Sequence, residues 1–270
     1  MENWPIGIFD SGVGGLTVVR EIKRMLPRAP IIYFGDTART PYGIKSRKTL
    51  IRYAIEDADF LISKGARIIV IACHSAASTA TAELRRYLDL PVFEVVSPSV
   101  TQACAITRNG RIGIMGTRAT VASGVYPELI PAKLPSATVV QQACPLLVPL
   151  VEEGWLKRRE TRMIVKGYLR PLKNQGVDTL VLGCTHYPLL KPIITAKAGR
   201  KIRVVDPSEE VAKSVREFIL GMGGEMDFHR ETSSTGEKRD RFYLSDLAPH
   251  TAEIVKRFLG EQVVLEEVIV

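Results

Sequence analysis

Two cysteines close apolar runs and are followed at once by polar side chains: Val70-Ile71-Ala72-Cys73-His74-Ser75 and Val181-Leu182-Gly183-Cys184-Thr185-His186. A thiol at the carboxyl end of a buried strand stands where ligands of open α/β sheets bind. Free backbone N–H groups and the dipole of a following helix favour its thiolate. Two such thiols on opposite sides of one carbon can invert it. One removes the α-proton from one face, and the other delivers a proton to the opposite face. The resting pair then holds one thiolate and one thiol, with roles exchanged for the other enantiomer. Either cysteine alone reads as core filling; the matched pair points to chemistry.

A second polar cluster is Asp10-Ser11-Gly12-Val13-Gly14-Gly15-Leu16-Thr17. This is a strand-to-helix turn whose free N–H groups can receive a carboxylate. Gly12 and Gly14 also fit the first two glycines of a dinucleotide fingerprint, with Asp36 as the distant ribose acid. Against that reading, Thr17 occupies the third position and Asp10 would repel a pyrophosphate. Asp10 suits a substrate ammonium group or an adjacent thiol, and its plain structural use is a helix N-cap.

The elements that must position these residues alternate along the chain. Pro5 to Phe9, Ile31 to Phe34, Ile68 to Ala72 and Val92 to Val96 read as buried parallel strands. A second set follows at Arg111 to Met115, Ala137 to Gln141, Thr179 to Leu182 and Arg203 to Val205. Helical spacing covers Leu16 to Met25, Arg47 to Lys64 and Ala76 to Leu88, then Thr120 to Ile130, Leu146 to Glu153, Arg159 to Asn174 and Glu209 to Leu220. A last helix from Ala252 to Leu259 and an edge-type strand within Gln262 to Val270 finish the chain. The alternation predicts an α/β fold with mainly parallel sheets flanked by helices.

The two sets echo each other. Ile6-Gly7-Ile8-Phe9-Asp10-Ser11 matches Ile112-Gly113-Ile114-Met115-Gly116-Thr117, and the two cysteine segments match each other, at offsets of 106 and 111 residues. The echo predicts two pseudo-symmetric domains facing a shared cleft. Proline-containing joints at Ser97-Pro98-Ser99 and Asp206-Pro207-Ser208 place the boundaries. One domain is 1–97 plus 207–270, and the other is 98–206.

Composition narrows the function classes. The chain of 270 residues is 46% hydrophobic and 24% charged, enough for full cores. Its apolar runs are too short to span a bilayer, and Met-Glu-Asn-Trp-Pro is unlike a secretory signal, so a cytoplasmic location is expected. The four cysteines (73, 104, 144, 184) and four histidines (74, 186, 229, 250) show no metal-ligand spacing, so free thiols and no metal are expected. The net charge of +8 suggests an anionic substrate or a nucleic acid partner. The basic residues are dispersed, which favours a solvated surface over nucleic acid binding.

Several segments together are specific: PIGIFDSGVGGLTVVREI, YFGDTARTPYG, IACHSAAS, ACPLLVPLVEEG, LGCTHYPLL and TSSTG at 232–236. In this order the chain resembles the glutamate racemases of bacterial cell-wall synthesis. The resemblance implies a two-domain enzyme with an interdomain active site and no cofactor: no pyridoxal phosphate, metal or nucleotide. It implies racemisation of L-glutamate to D-glutamate for peptidoglycan, with Cys73 and Cys184 as the two bases and Asp10, Glu152 and His186 assisting proton transfer. Asp10, Ser11, Pro41, Tyr42, Gly43, His74, Ser75, Thr185 and His186 are the implied substrate contacts. Glutamate is then the expected partner, with no membrane or nucleic acid partner, and a homodimer is the assembly to test.

Two departures from the family stand out. Asparagine and threonine usually follow the first cysteine, where this chain has His74-Ser75, and Glu-Pro-Gly is more frequent than Ser97-Pro98-Ser99. An imidazole beside Cys73 would make the two thiols unequal. Altered contacts there leave room for aspartate or a broader range of acidic amino acids. The reading from a different class is a nucleic-acid-binding or gyrase-regulating protein, since some members of the resembled family are thought to inhibit DNA gyrase.

Overall fold

Short β-branched runs, apolar on both faces, give parallel strands that must be covered by helices on each side. The computed structural model describes residues 4–222 and 240–270; the TSSTG segment and His229 lie outside them. The elements run β1 (Ile6–Asp10), α1 (Leu16–Met25), β2 (Ile31–Gly35), α2 (Arg47–Ser63), β3 (Ile68–Ile71), α3 (His74–Tyr87), β4 (Val92–Glu94) and α4 (Val96–Ile106). They continue with β5 (Arg111–Gly116), α5 (Arg118–Ala122), α6 (Val125–Lys133), β6 (Thr138–Ala143), α7 (Leu147–Glu152), α8 (Arg159–Asn174), β7 (Thr179–Gly183), α9 (Lys191–Ala198) and β8 (Arg203–Val205). The last are α10 (Pro207–Gly221), β9 (Arg241–Leu244), α11 (Thr251–Leu259) and β10 (Leu265–Glu267).

These strands form two parallel sheets, one ordered β10-β9-β2-β1-β3-β4 and the other β6-β5-β7-β8. The segment β2-β1-β3-β4 has the same order as β6-β5-β7-β8. The matched segments of the sequence are therefore the adjacent central strands of each sheet, β1 with β3 and β5 with β7. Every residue of β1, β2, β3 and β7 is buried. The fold is the expected α/β architecture of helix-flanked parallel sheets.

Several local expectations differ. Ser97-Pro98-Ser99 is no open joint, because it lies in the first turn of α4. A proline is tolerated there, since the first N–H groups of a helix have no partner within it. The carboxylate of Glu94 caps that turn by accepting from the N–H groups of Val96 and Ser97. Asp206-Pro207-Ser208 starts α10, with the Asp206 carboxylate accepting from Ser208 N at 3.1 Å. The single helix expected over 120–130 is two, parted at Gly124, whose φ of +71° only glycine adopts freely. The helix α9 and the strand β9 were not anticipated.

Candidate active site

The carboxyl ends of the central strands carry the polar residues of both sheets, and the two sets bond to each other. Asp10 ends β1, and the Thr185 hydroxyl, just past β7, donates to its Oδ1 at 3.4 Å. Thr117 follows β5, and its hydroxyl is 3.2 Å from that of Ser75 in the first turn of α3. Each bond joins the loop after one sheet's third strand to the loop after the other's first, as a two-fold related pair would. Thr17 adds a hydrogen bond of 3.0 Å to the Thr185 carbonyl.

Gly14 shows how close this approach is. A Cβ there would lie 2.4 Å from Thr185 Oγ1 and 2.5 Å from His186 Nδ1. Gly14→Ala is therefore expected to displace Thr185 and His186 and to lower turnover about 100-fold, as an ångström-scale misplacement can. The far-ultraviolet circular dichroism spectrum should stay that of the parent, and full activity would show that the two loops can part without consequence.

Cys184 directly follows β7 and sits in a relay. Its Sγ is 3.9 Å from His186 Nδ1, and His186 Nε2 is 3.0 Å from Glu152 Oε1 at the end of α7. Burial opposes charge on this imidazole. The Cys184 thiol and the Glu152 carboxylate outweigh that penalty and push its pKa up to about 10. An imidazolium at this place stands ready to hold a thiolate on Cys184. The following element is a short 3-10 turn over Tyr187–Leu190 that runs directly into α9.

Cys73 is placed differently. It is the N-cap of α3, it donates to Ser11 Oγ at 3.5 Å, and the Ala76 N–H faces it. The lowering expected from the helix N-terminus is present, through the Ala76 N–H, but is outweighed. Burial first, and the charge of Asp10 second, push the thiol up to about 12 against those two polar contacts. His74 corrects a further expectation. Its ring is buried, neither nitrogen has a hydrogen-bond partner among the described residues, and burial alone lowers it to about 3. It is neutral near pH 7 and supplies no positive charge beside Cys73. The two thiols sit in unequal settings, Cys73 buried beside Asp10 and Ser11 and Cys184 beside His186.

The glycine turn is also partly spoken for. The Asp10 carboxylate accepts from the N–H groups of Gly12, at 3.1 Å, and Gly15, which removes both from the donors available to a bound carboxylate. Burial raises the pKa of Asp10, while nearby His186 pulls it down.

Pro41, Tyr42 and Gly43 lie on the loop between β2 and α2, and Gly43 packs against Thr117 of the other half. The Tyr42 hydroxyl joins a buried charged cluster, donating to Asp36 and, at 2.9 Å, to Asp57 Oδ2. Arg39 joins the cluster through Asp36 (2.6 Å), Asp57 (2.8 Å) and Glu56, with the Tyr53 ring 4.1 Å from its guanidinium carbon. Burial, with the neighbouring Asp36 charge, raises the pKa of Asp57 well above its ordinary range, against the lowering by Arg39 and by the Tyr42 hydroxyl. Asp36 is thus spent on this clamp and on Ser245, which donates to it at 3.0 Å, rather than serving as a ribose acid.

Sequence reasoning missed Thr117, although the echo of Ser11 by Thr117 pointed to it. It also missed Arg39 and Asp57, whose roles depend on contacts no local pattern shows. Among the described residues no group of three or more His, Cys, Asp or Glu could hold a metal ion, and no helix is long and apolar enough to cross a membrane.

The family model for Asp/Glu/hydantoin racemases matches residues 6–215. The chain belongs to that family. A glutamate racemase from Geobacter metallireducens is 46% identical, over 94% of this chain and 92% of its own. One from Neisseria meningitidis is 44% identical, over 95% of this chain and 93% of its own. Among solved structures, the Francisella tularensis glutamate racemase in complex with D-glutamate matches with a TM-score of 0.89 and 34% identity, over 99% of this chain and 98% of that one. A Bacillus anthracis glutamate racemase reaches 0.91 at 33% identity, with the same coverage. An aspartate racemase homologue from Pyrococcus horikoshii, at 17% identity and a TM-score of 0.59, shares the fold.

Proposed function

We propose that this isomerase interconverts L- and D-glutamate by a two-base mechanism in which Cys73 and Cys184 act from opposite faces of the α-carbon. The carrying observation is the pair of thiols at the ends of equivalent strands, β3 and β7, in loops that bond across to the other sheet. Relatives 42–46% identical are glutamate racemases, which supports glutamate over aspartate.

Cys184 starts as the thiolate, held by the His186 imidazolium that Glu152 supports. Cys73 starts as the thiol. For one enantiomer Cys184 takes the α-proton while Cys73 gives its own to the opposite face. The products are the inverted amino acid, a Cys184 thiol and a Cys73 thiolate. The Ser11 hydroxyl and the Ala76 N–H then face that second thiolate. For the other enantiomer the steps reverse. Asp10 faces the substrate ammonium, and the hydroxyls of Ser11, Ser75, Thr117 and Thr185 receive its carboxylates. The working units are 1–97 with 207–270 and 98–206, the substrate lying between them. A cytoplasmic enzyme supplying D-glutamate to peptidoglycan fits four free thiols and this chemistry.

Circular dichroism of L-glutamate and L-aspartate solutions, without added cofactor, tests the reading. Glutamate should lose its signal. Aspartate, one methylene shorter, should show kcat/KM roughly 10- to 200-fold lower. No turnover of glutamate would overturn the proposal.

The inequality of the thiols has its own expected result. Near pH 7, iodoacetamide should label Cys184 faster than Cys73. The Cys73 rate should keep climbing toward pH 12, because a raised pKa keeps its thiolate scarce below that value. Peptide mass spectrometry after timed quenching reads both rates, and coincident curves would defeat the assignment of starting states.

A further inference from the structure

The Glu152–His186 pair belongs to the half built on β5 and β7, yet adjacent residues of the last helix of the other half hold both members. Arg257, in α11, donates through Nη1 to the carbonyl of Glu152 and, at 3.3 Å, to that of Val151. These are the final carbonyls of α7, which lack partners within the helix and carry the negative end of its dipole. A guanidinium is well matched to that end. Arg257 meets the backbone and leaves the Glu152 carboxylate to His186. The turn that follows α7 is shaped to admit it: Gly154 has φ of +70°, and a Cβ there would come 2.8 Å from Arg257 Nη2.

The next residue, Phe258, reaches the other member. Its ring meets the His186 imidazole edge-on, with centroids 5.1 Å apart and planes at 82°. The Phe258 ring is fully buried, and its carbonyl accepts from Arg20 of α1 at 3.4 Å, which anchors α11 to the first sheet's own helix layer. One helix turn thus fixes the Glu152 backbone with one side chain and packs the His186 ring with the next.

We infer that Arg257 and Phe258 are positioning residues for proton transfer at Cys184, docking of α11 being what aligns Glu152 with His186 and His186 with the thiol. The inference rests on the reading of Cys184 as a base. It makes the competence of one thiol depend on contact between the halves, whereas the hydrogen-bond partners of Cys73, Ser11 and Ala76, lie outside α11.

The test compares Arg257→Met, Arg257→Lys and Phe258→Leu with the parent enzyme. It measures kcat and KM for both glutamate enantiomers, the pH dependence of iodoacetamide labelling at each cysteine, and the thermal midpoint. Arg257→Met should lower kcat about tenfold with KM within about twofold, in the range seen when an outer partner of a functional histidine is removed. It should move the Cys184 labelling curve while leaving the Cys73 curve in place. Arg257→Lys keeps a cationic donor and should recover at least about half of the lost activity. Phe258→Leu should shift the Cys184 curve in the same sense. Unmoved Cys184 curves would overturn the inference. So would a joint shift of both cysteines with a lowered midpoint, or a lysine variant as impaired as the methionine one, since each marks a merely structural contact. Labelling needs no substrate, so a parent enzyme inert on glutamate would count against the functional reading while the two labelling curves still decide this one.

Discussion

Cys73→Ala and Cys184→Ala should each lower racemisation by about 10²- to 10⁴-fold, the range a positioned proton-transfer group supplies. The more telling expectation concerns what each variant keeps. With one thiol gone, the other can still remove the α-proton of the enantiomer that presents it and return a solvent deuteron to the same face. Inversion stops while exchange continues. In deuterium oxide, proton nuclear magnetic resonance should show Cys73→Ala exchanging one enantiomer of glutamate and Cys184→Ala exchanging the other. Both variants exchanging the same enantiomer, or either racemising at the parent rate, would dismantle the two-face assignment. Exchange by Cys73→Ala should further depend on His186 and Glu152, since these flank the remaining thiol at 3.9 Å and, through the imidazole, 3.0 Å.

The second large effect is on stability. Arg39→Ala removes the cation that Asp36 and Asp57, both fully buried, share. Breaking a buried ion pair from one side costs about 3–5 kcal/mol, because the charge left behind has no compensation. For a chain of this size that is a fall in thermal midpoint of about 10 °C, by calorimetry or circular dichroism. Asp57→Asn should cost less, about 1 kcal/mol, because burial already disfavours the Asp57 charge and an amide keeps one oxygen to accept from Arg39 or Tyr42. Equal losses in the two variants would mean that the Asp57 charge matters as much as the cation. Both variants should also raise KM, since the clamp holds the Pro41–Gly43 loop against Thr117.

Much of this was legible in the residues themselves. Parallel strands announced themselves because burial on both faces demands unbroken apolar runs, and Ile68–Ile71 and Thr179–Gly183 are such runs. Repetition of one segment pair at a near-constant offset disclosed that the sheets share a strand order. What escaped was local structure without a distinctive signal. The strand β9 is only four residues, Arg-Phe-Tyr-Leu, and owes its conformation to pairing with β2. The helix α4 opens on Val-Ser-Pro-Ser, which reads as a break unless the Glu94 cap is known.

Sequence alone determined which atoms could do the chemistry and that they come as a related pair: two thiols at strand ends, each with polar neighbours, in a repeated frame. That information is local, carried by hydropathy period and residue type. Only the tertiary structure decided what makes the settings of the thiols differ. The pKa of His186 is raised by Cys184 and by Glu152, 34 residues away; the alignment of Glu152 involves Arg257, 105 residues further on; and the neutrality of His74 follows from burial. The Tyr42 hydroxyl likewise gained partners that no local pattern shows, Asp36 and Asp57. Solvent exclusion and charge pairing set protonation, and both depend on which distant side chains the fold brings within a few ångströms.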